Sequence, residues 1–190
     1  MTGIILSGGK NKRMGTNKAF LKIDGQRLID RTVGILKSLL DHVIVVTNTP
    51  CLYLDLEVEI VTDIYTNKGA LGGIHAGLFH SPSKQAFVVA CDMPFINKHF
   101  IKYMLERSKN FDIVVPKCPE GFQPLHAIYS QKCLSRIENL LANDKLKITD
   151  FYKGFKILTI NEDMIRFFNP WGRMFLNVNS QQDLEFIVKN

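Results

Sequence analysis

Short apolar runs alternate with amphipathic segments over most of the chain. Residues 2–7 (Thr-Gly-Ile-Ile-Leu-Ser) are apolar through Leu6, with no charge between, as a strand buried on both faces requires. Comparable runs at residues 42–47, 58–61, 86–90, 111–115, 125–129 and 155–160 read as further strands, and 175–178 as a short extended piece. Leu28, Ile29, Val33, Leu36, Leu39 and Leu40 recur near the helical period, so 27–40 reads as an amphipathic helix. Gly72-Gly73 opens a second helix that Ser81-Pro82 closes, and Asn97 caps a third from Lys98 to Ser108. Residues 131–142 form a fourth, and Ser180 caps the last, with Asp183 in its first turn. Short helices are expected at 51–57 and 148–152, turns at Asp24-Gly25 and after Thr47, and a connector at 116–121. Strand and helix alternate, which predicts a mostly parallel, Rossmann-like three-layer α/β fold with right-handed crossovers. A length of 190 residues suits one domain with one core.

In such a sheet, ligands gather at the carboxyl ends of the strands. Four of those ends carry polar or charged groups: residues 7–18, Asn48, Asp63 and Asp92. The first is the most telling. Leu6-Ser7-Gly8-Gly9 is followed by Lys10, Lys12, Arg13, Gly15 and Lys18. Glycines let a backbone approach a ligand closely, and successive N–H groups make an anion nest. Arginine adds a planar fork for phosphate oxygens and lysine a point charge. The stretch is neither a P-loop, since Gly9 to Gly15 is one residue too wide and lacks the lysine, nor a Gly-x-Gly-x-x-Gly dinucleotide loop. A nucleotide polyphosphate is the expected ligand. The first half of the chain, about 1–95, then serves as the nucleotide-binding half and about 96–190 as the acceptor-binding half.

Asp92 ends a buried run, Phe-Val-Val-Ala-Cys, and precedes Met-Pro. A carboxylate there is costly unless paired. It is either an Mg²⁺ ligand shared with phosphates or a helix cap or lysine partner. Lys18 is a candidate phosphate anchor, Arg13 a candidate stabiliser of charge on leaving pyrophosphate. Asn48 and Asp63 offer hydrogen-bond acceptors to a ligand, though either could simply form a turn. A second Gly-rich segment, Gly69–Leu78, opens a helix whose N-terminus can receive base or phosphate oxygens. Net charge of +6 favours anionic partners, but the cations are scattered outside the first loop, which argues for a small polyanion over nucleic acid. No apolar run is long enough to span a bilayer. Four cysteines without Cys-x-x-Cys or zinc spacing read as reduced thiols of a cytoplasmic protein, with Cys91 packed rather than reactive.

Leu-Ser-Gly-Gly-x-x-x-Arg-Met-Gly-x-x-Lys resembles the signature loop of nucleotidyltransferases that activate a phosphorylated acceptor with an NTP. Within that nucleotide-diphospho-sugar transferase-like group, the match is to the molybdenum cofactor guanylyltransferases (MobA-like), which usually carry Leu-Ala-Gly-Gly. Two later segments resemble the same branch: Gln123-Pro124-Leu125-His126 and Phe175-Leu176-Asn177-Val178-Asn179-Ser180. The resemblance implies GTP contacts by Leu6, Ser7, Gly8, Gly9, Lys18, Asn48, Asp63 and Asp92, with Mg²⁺ on Asp92. Gln123, Pro124, His126, Asn177 and Asn179 would face the acceptor. It implies transfer of GMP from GTP to molybdenum-molybdopterin, with molybdenum-insertion or molybdoenzyme maturation proteins as partners. The readings left open are a cytidylyltransferase on the same pterin, a sugar- or alcohol-phosphate nucleotidyltransferase, a nucleotide-binding regulatory module without turnover, and a basic nucleic-acid binder.

Overall fold

The first strand, β1 (Thr2–Leu6), is buried at every position and lies in the interior of the main sheet. It pairs in parallel with β4 (His42–Val46) on one side and β6 (Gln85–Ala90) on the other. β5 (Glu59–Val61) extends the sheet beyond β4 in parallel. On the far side of β6 come β9 (His126–Ser130), β7 (Ile113–Cys118) and β10 (Ile157–Ile160), giving the order β10-β7-β9-β6-β1-β4-β5. This computed structural model describes residues 1–8 and 17–189, the last three of these by backbone only.

The sheet is parallel except at β9, antiparallel to both neighbours, and at β8 (Gly121–Phe122), which turns back on β7. The expected connector at 116–121 is therefore strand as far as Cys118. Pro116 is tolerated there because the β7–β9 ladder covers only Ile113 and Val114, so no N–H is needed at 116. A separate two-stranded hairpin, β2 (Lys22–Ile23) and β3 (Gln26–Arg27), turns on Asp24 and Gly25, both at positive φ. That is the backbone a tight hairpin requires, and Asp-Gly supplies it.

Continuous apolar strands bury both faces, and the helices divide accordingly. Ile5, Val43, Val45, Phe87 and Val89 point to one side, against α1 (Leu28–Lys37), α3 (Lys98–Arg107) and α5 (Glu162–Phe168). Ile4, Leu6, Ile44, Val46, Ala86 and Val88 point to the other, under α2 (Gly69–His80) and α4 (Leu134–Ala142). Helix α2 is buried from Leu71 to Leu78, sandwiched between sheet and α4. Asn97 caps α3 as expected, its side chain accepting from the His99 and Phe100 N–H groups. Helix α5 has no counterpart among the expected elements. Its start carries a clear cap, Asn161 accepting from the Met164 N–H, but Phe167 is exposed and blurs the apolar period. The 51–57 helix shrinks to a 3-10 turn at Pro50–Tyr53, and the 148–152 helix is also 3-10. Residues 176–179 belong to no sheet. The final helix, α6 (Gln181–Lys189), is capped by Ser180, whose hydroxyl accepts from the Asp183 N–H.

Glycine sets how closely α2 approaches the sheet. A Cβ on Gly77 would lie 2.5 Å from Ile4 Cγ2, in the centre of the core. Gly77→Ala should therefore lower the unfolding free energy by about 1–3 kcal/mol, outweighing alanine's helix propensity of about 1 kcal/mol. Urea unfolding checks this, and a more stable variant would show that α2 can shift at no cost.

Candidate active site

The carboxyl ends of β1, β4 and β6 open on one edge, and the register brings their residues together. Leu6 lies beside Val46 and Ala90. The Ser7 N–H donates to Val46 O at 2.9 Å, and the Cys91 N–H to Leu6 O at 3.1 Å. Leu6 and Ser7 are buried, Gly8 exposed. Gly9 and Arg13 lie outside the described residues, as do Lys10 and Lys12.

Lys18 begins a 3-10 turn, Lys18–Phe20, capped by Asn17, whose side-chain oxygen accepts from the Ala19 N–H at 3.1 Å. From there the Lys18 ammonium reaches Asp92 Oδ2 at 3.4 Å and Asn179 Oδ1 at 2.6 Å. The Lys18 and Asp92 side chains are about four-fifths covered, 18% and 21% exposed, so each is held yet reachable from solvent. Asp92 Oδ1 has no partner among the described residues. The backbone repeats the link: the Val178 N–H donates to Asp92 O at 2.9 Å. Val178 is itself fully buried among Leu21, Ile23, Leu28 and Leu184, which fixes the 176–179 segment against the edge. Asn177 and Asn179 are both exposed beside it.

Asn48 and Asp63 form a second pair. The Asn48 amide donates to Asp63 Oδ2 at 2.7 Å, and the Asp63 N–H donates to Asn48 Oδ1 at 3.2 Å. Asp63 also stands beside the start of α2, with Oδ1 3.7 Å from the point a Gly73 Cβ would occupy. That helix has no side-chain cap at its N-terminus.

Antiparallel β9 brings its beginning to this edge. The Ala90 N–H donates to Leu125 O at 3.1 Å, which places Gln123-Pro124-Leu125 next to the end of β6. The segment is braced from below. Tyr129 Oη donates to Pro124 O at 2.7 Å and meets the Tyr152 hydroxyl at 2.8 Å, both tyrosines being buried.

The family is settled by comparison. The model of the MobA-like NTP transferase domain matches residues 3–154. The chain belongs to this MobA-like family. Across 97% of its length it is 40% identical to the molybdenum cofactor guanylyltransferase of Desulfosudis oleivorans, covering 93% of that protein. It is 36% identical to the enzyme of the same name from Syntrophotalea carbinolica, over 97% of this chain and 89% of that one. Among solved structures, molybdopterin-guanine dinucleotide biosynthesis protein A from Archaeoglobus fulgidus superposes with a TM-score of 0.81 over the whole of both chains, at 24% identity. A 4-diphosphocytidyl-2C-methyl-D-erythritol synthase from Anaerococcus prevotii shares the fold at a TM-score of 0.69 and 14% identity, over all of this chain and 96% of that one. This MobA-like chain is a nucleotidyltransferase.

One acceptor-side expectation needs correction. In this MobA-like transferase His126 does not face the edge. It is completely buried, its ring packed on Phe87, Phe100 and Phe175, and neither ring nitrogen has a hydrogen-bond partner among the described residues. His126 opens β9, and strand alternation puts it on the same face as Ile128, the face that α3 covers. Cys91 is likewise packed: burial pushes its thiol up to about 12, which keeps it neutral beside Asp92. Two residues that organise the edge are absent from the expected set. Asn17 carries a legible signal, an amide just before a short helix. Tyr53 carries none, because its segment has no clear period.

Among the described residues, no helix is long and apolar enough to cross a membrane, and no group of three or more His, Cys, Asp or Glu could hold a metal by itself.

Burial lowers the pKa of His126 to about 3. Unfolded, the same imidazole titrates near 6.5, so between these values the unfolded chain binds a proton that the folded chain refuses. His126 is therefore expected to make stability fall by about 1.4 kcal/mol per pH unit from pH 6.5 down to about 3. Urea midpoints of wild type and His126→Leu at several pH values isolate the contribution. Equal slopes in the two proteins would remove His126 as the cause.

Proposed function

We propose that this protein transfers GMP from GTP to molybdenum-molybdopterin, forming the guanine dinucleotide cofactor and pyrophosphate. One observation carries the reading. A single ammonium, Lys18 Nζ, touches Asp92 on the nucleotide side and Asn179 on the acceptor side. In this reading the two phosphorylated substrates meet at that point. The names and near full-length identity of the relatives support the choice of substrates.

In this reading an oxygen of the acceptor's terminal phosphate attacks the α-phosphorus of GTP in line. A new P–O bond forms as the bond between α-phosphorus and the bridging oxygen breaks, and pyrophosphate leaves with the electron pair. A phosphate monoester is largely ionised near neutral pH, so no strong general base is needed. Lys18 holds phosphate oxygens and balances charge that develops in the transition state. Asn179 orients that ammonium and, with Asn177, faces the acceptor. Asn48 and Asp63 present acceptors to the guanine N–H groups. Arg13 would act on the pyrophosphate.

A divalent cation fits the edge. Asp92 supplies one carboxylate with an uncommitted oxygen, and Mg²⁺ needs only one or two carboxylates when phosphates and water complete its shell. When bound, Mg²⁺ would neutralise charge on the nucleotide phosphates. Gln123 and Pro124 complete the acceptor side.

Asp92→Ala is expected to lower turnover about a hundredfold or more with the fold retained. Asn179→Ala should raise the acceptor KM more than the GTP KM. Pyrophosphate release with GTP, CTP, ATP and UTP, each with and without Mg²⁺, tests the assignment. Preference for CTP would move the substrate to the cytidylyl class. Binding without turnover for every nucleotide would favour a regulatory module.

A further inference from the structure

The Tyr53 hydroxyl is fully buried and belongs to none of the groups assigned to substrate. It lies 2.7 Å from Ser7 Oγ and accepts from the Asn17 amide at 2.8 Å. Ser7 and Asn17 are ten positions apart, yet one oxygen atom joins them. The Asn17 amide cannot be flipped without loss, because its other end accepts from the Ala19 N–H. Its NH₂ therefore points at Tyr53, and the tyrosine proton is free for Ser7 Oγ. The ring is held as firmly as the hydroxyl. Phe20 packs on it at 5.2 Å between centroids, and Arg27, fixed by Asp30 and Asp55, stands over Phe20.

Asn17 is also the residue that starts the Lys18 turn: its backbone oxygen accepts from the Phe20 N–H at 2.9 Å, and Lys18 O accepts from the Leu21 N–H at 3.1 Å. Moving the Asn17 side chain would thus move the root of Lys18. We propose that Tyr53 is a positioning residue of the transferase, fixing Lys18 at the junction of nucleotide and acceptor through the Asn17 amide, with Ser7 orienting the tyrosine hydroxyl. The proposal rests on the role given to Lys18 above. Tyr53 touches no substrate. Its contribution is that a flexible lysine starts from one fixed backbone position, so less freedom is lost when phosphate binds.

Tyr53→Phe keeps the ring and removes the oxygen. Asn17→Ser keeps an oxygen for the Ala19 cap and removes the amide donor. Each should weaken Mg²⁺-GTP binding by calorimetry about tenfold, the scale of one buried hydrogen bond. In a Lys18→Ala background neither should weaken it further, whereas any loss of thermal stability should persist there. Amide hydrogen exchange at Ala19 and Phe20, read without nucleotide, should accelerate about tenfold in Tyr53→Phe. Unchanged exchange, wild-type GTP affinity in Tyr53→Phe, or losses that multiply with Lys18→Ala would each overturn the proposal. Failure of the wild type to bind any nucleoside triphosphate would instead refute the proposed function, and exchange at Ala19 and Phe20 would still decide the role of Tyr53.

Discussion

The side-by-side register of Leu6, Val46 and Ala90 is the constraint on which the site depends. It places Ser7, Asn48 and Asp92 within two residues of one line across the sheet. The strands can lie in that register only because both faces are covered, and the coverage is close. Gly3 meets Leu36 and Leu40, while Gly73 and Gly77 press α2 onto Leu6 and Ile4. A side chain at Gly73 would crowd Leu6, the last residue of β1, and come into contact with Asp63. Core packing and site geometry are therefore a single arrangement. The same atoms that keep α2 near the sheet decide where Asp63 faces Asn48.

The antiparallel strand β9 is the second device. In a wholly parallel sheet every strand would bring its end to the ligand edge and its beginning to the opposite one. Reversal of β9 lets the chain bring Gln123-Pro124-Leu125 to the end of β6 while His126 turns inward. The cost is a buried imidazole among phenylalanines, without a hydrogen-bond partner among the described residues. Its compensation is aromatic packing that ties Phe175, and so the 176–179 segment, to the core.

Much of this was legible in the residues. Continuous apolar runs marked β1, β4 and β6 because parallel strands bury both faces. Asn97 and Ser180 marked helix starts because a side-chain oxygen there satisfies free N–H groups. Asp92, Asn48 and Asp63 stand out as polar groups at strand ends, Lys18 closes the first loop, and Asn179 belongs to the second resembling segment; Lys18 meets Asp92 and Asn179, and Asn48 meets Asp63. What periodicity cannot express is direction. Nothing local distinguishes a parallel from an antiparallel β9 or says which face each residue takes, so the resemblance of residues 123–126 as a block could not tell His126 from its neighbours. Tyr53 escaped for a related reason. Its hydroxyl matters through Ser7 and Asn17, distant contacts that exist only once β1 and β4 are side by side.

The Lys18–Asp92 pair contributes little to holding this fold together. A partly exposed ion pair at this separation is worth on the order of 1 kcal/mol or less, and two hydrogen bonds to a mobile ammonium add modestly. Yet three separate parts of the chain converge on that ammonium: the turn after Asn17, the end of β6, and the segment before α6. A structure that gathers three segments around a weak contact has placed charge rather than gained stability. In the proposed reading, the carboxylate and the amide hold the ammonium where phosphate oxygens would come. Substrate would then exchange partners at a lysine already in position, without drawing it from solvent. That prearrangement is the physical form in which an electrostatic catalyst stores its advantage, since the organisation is completed during folding and not during the reaction.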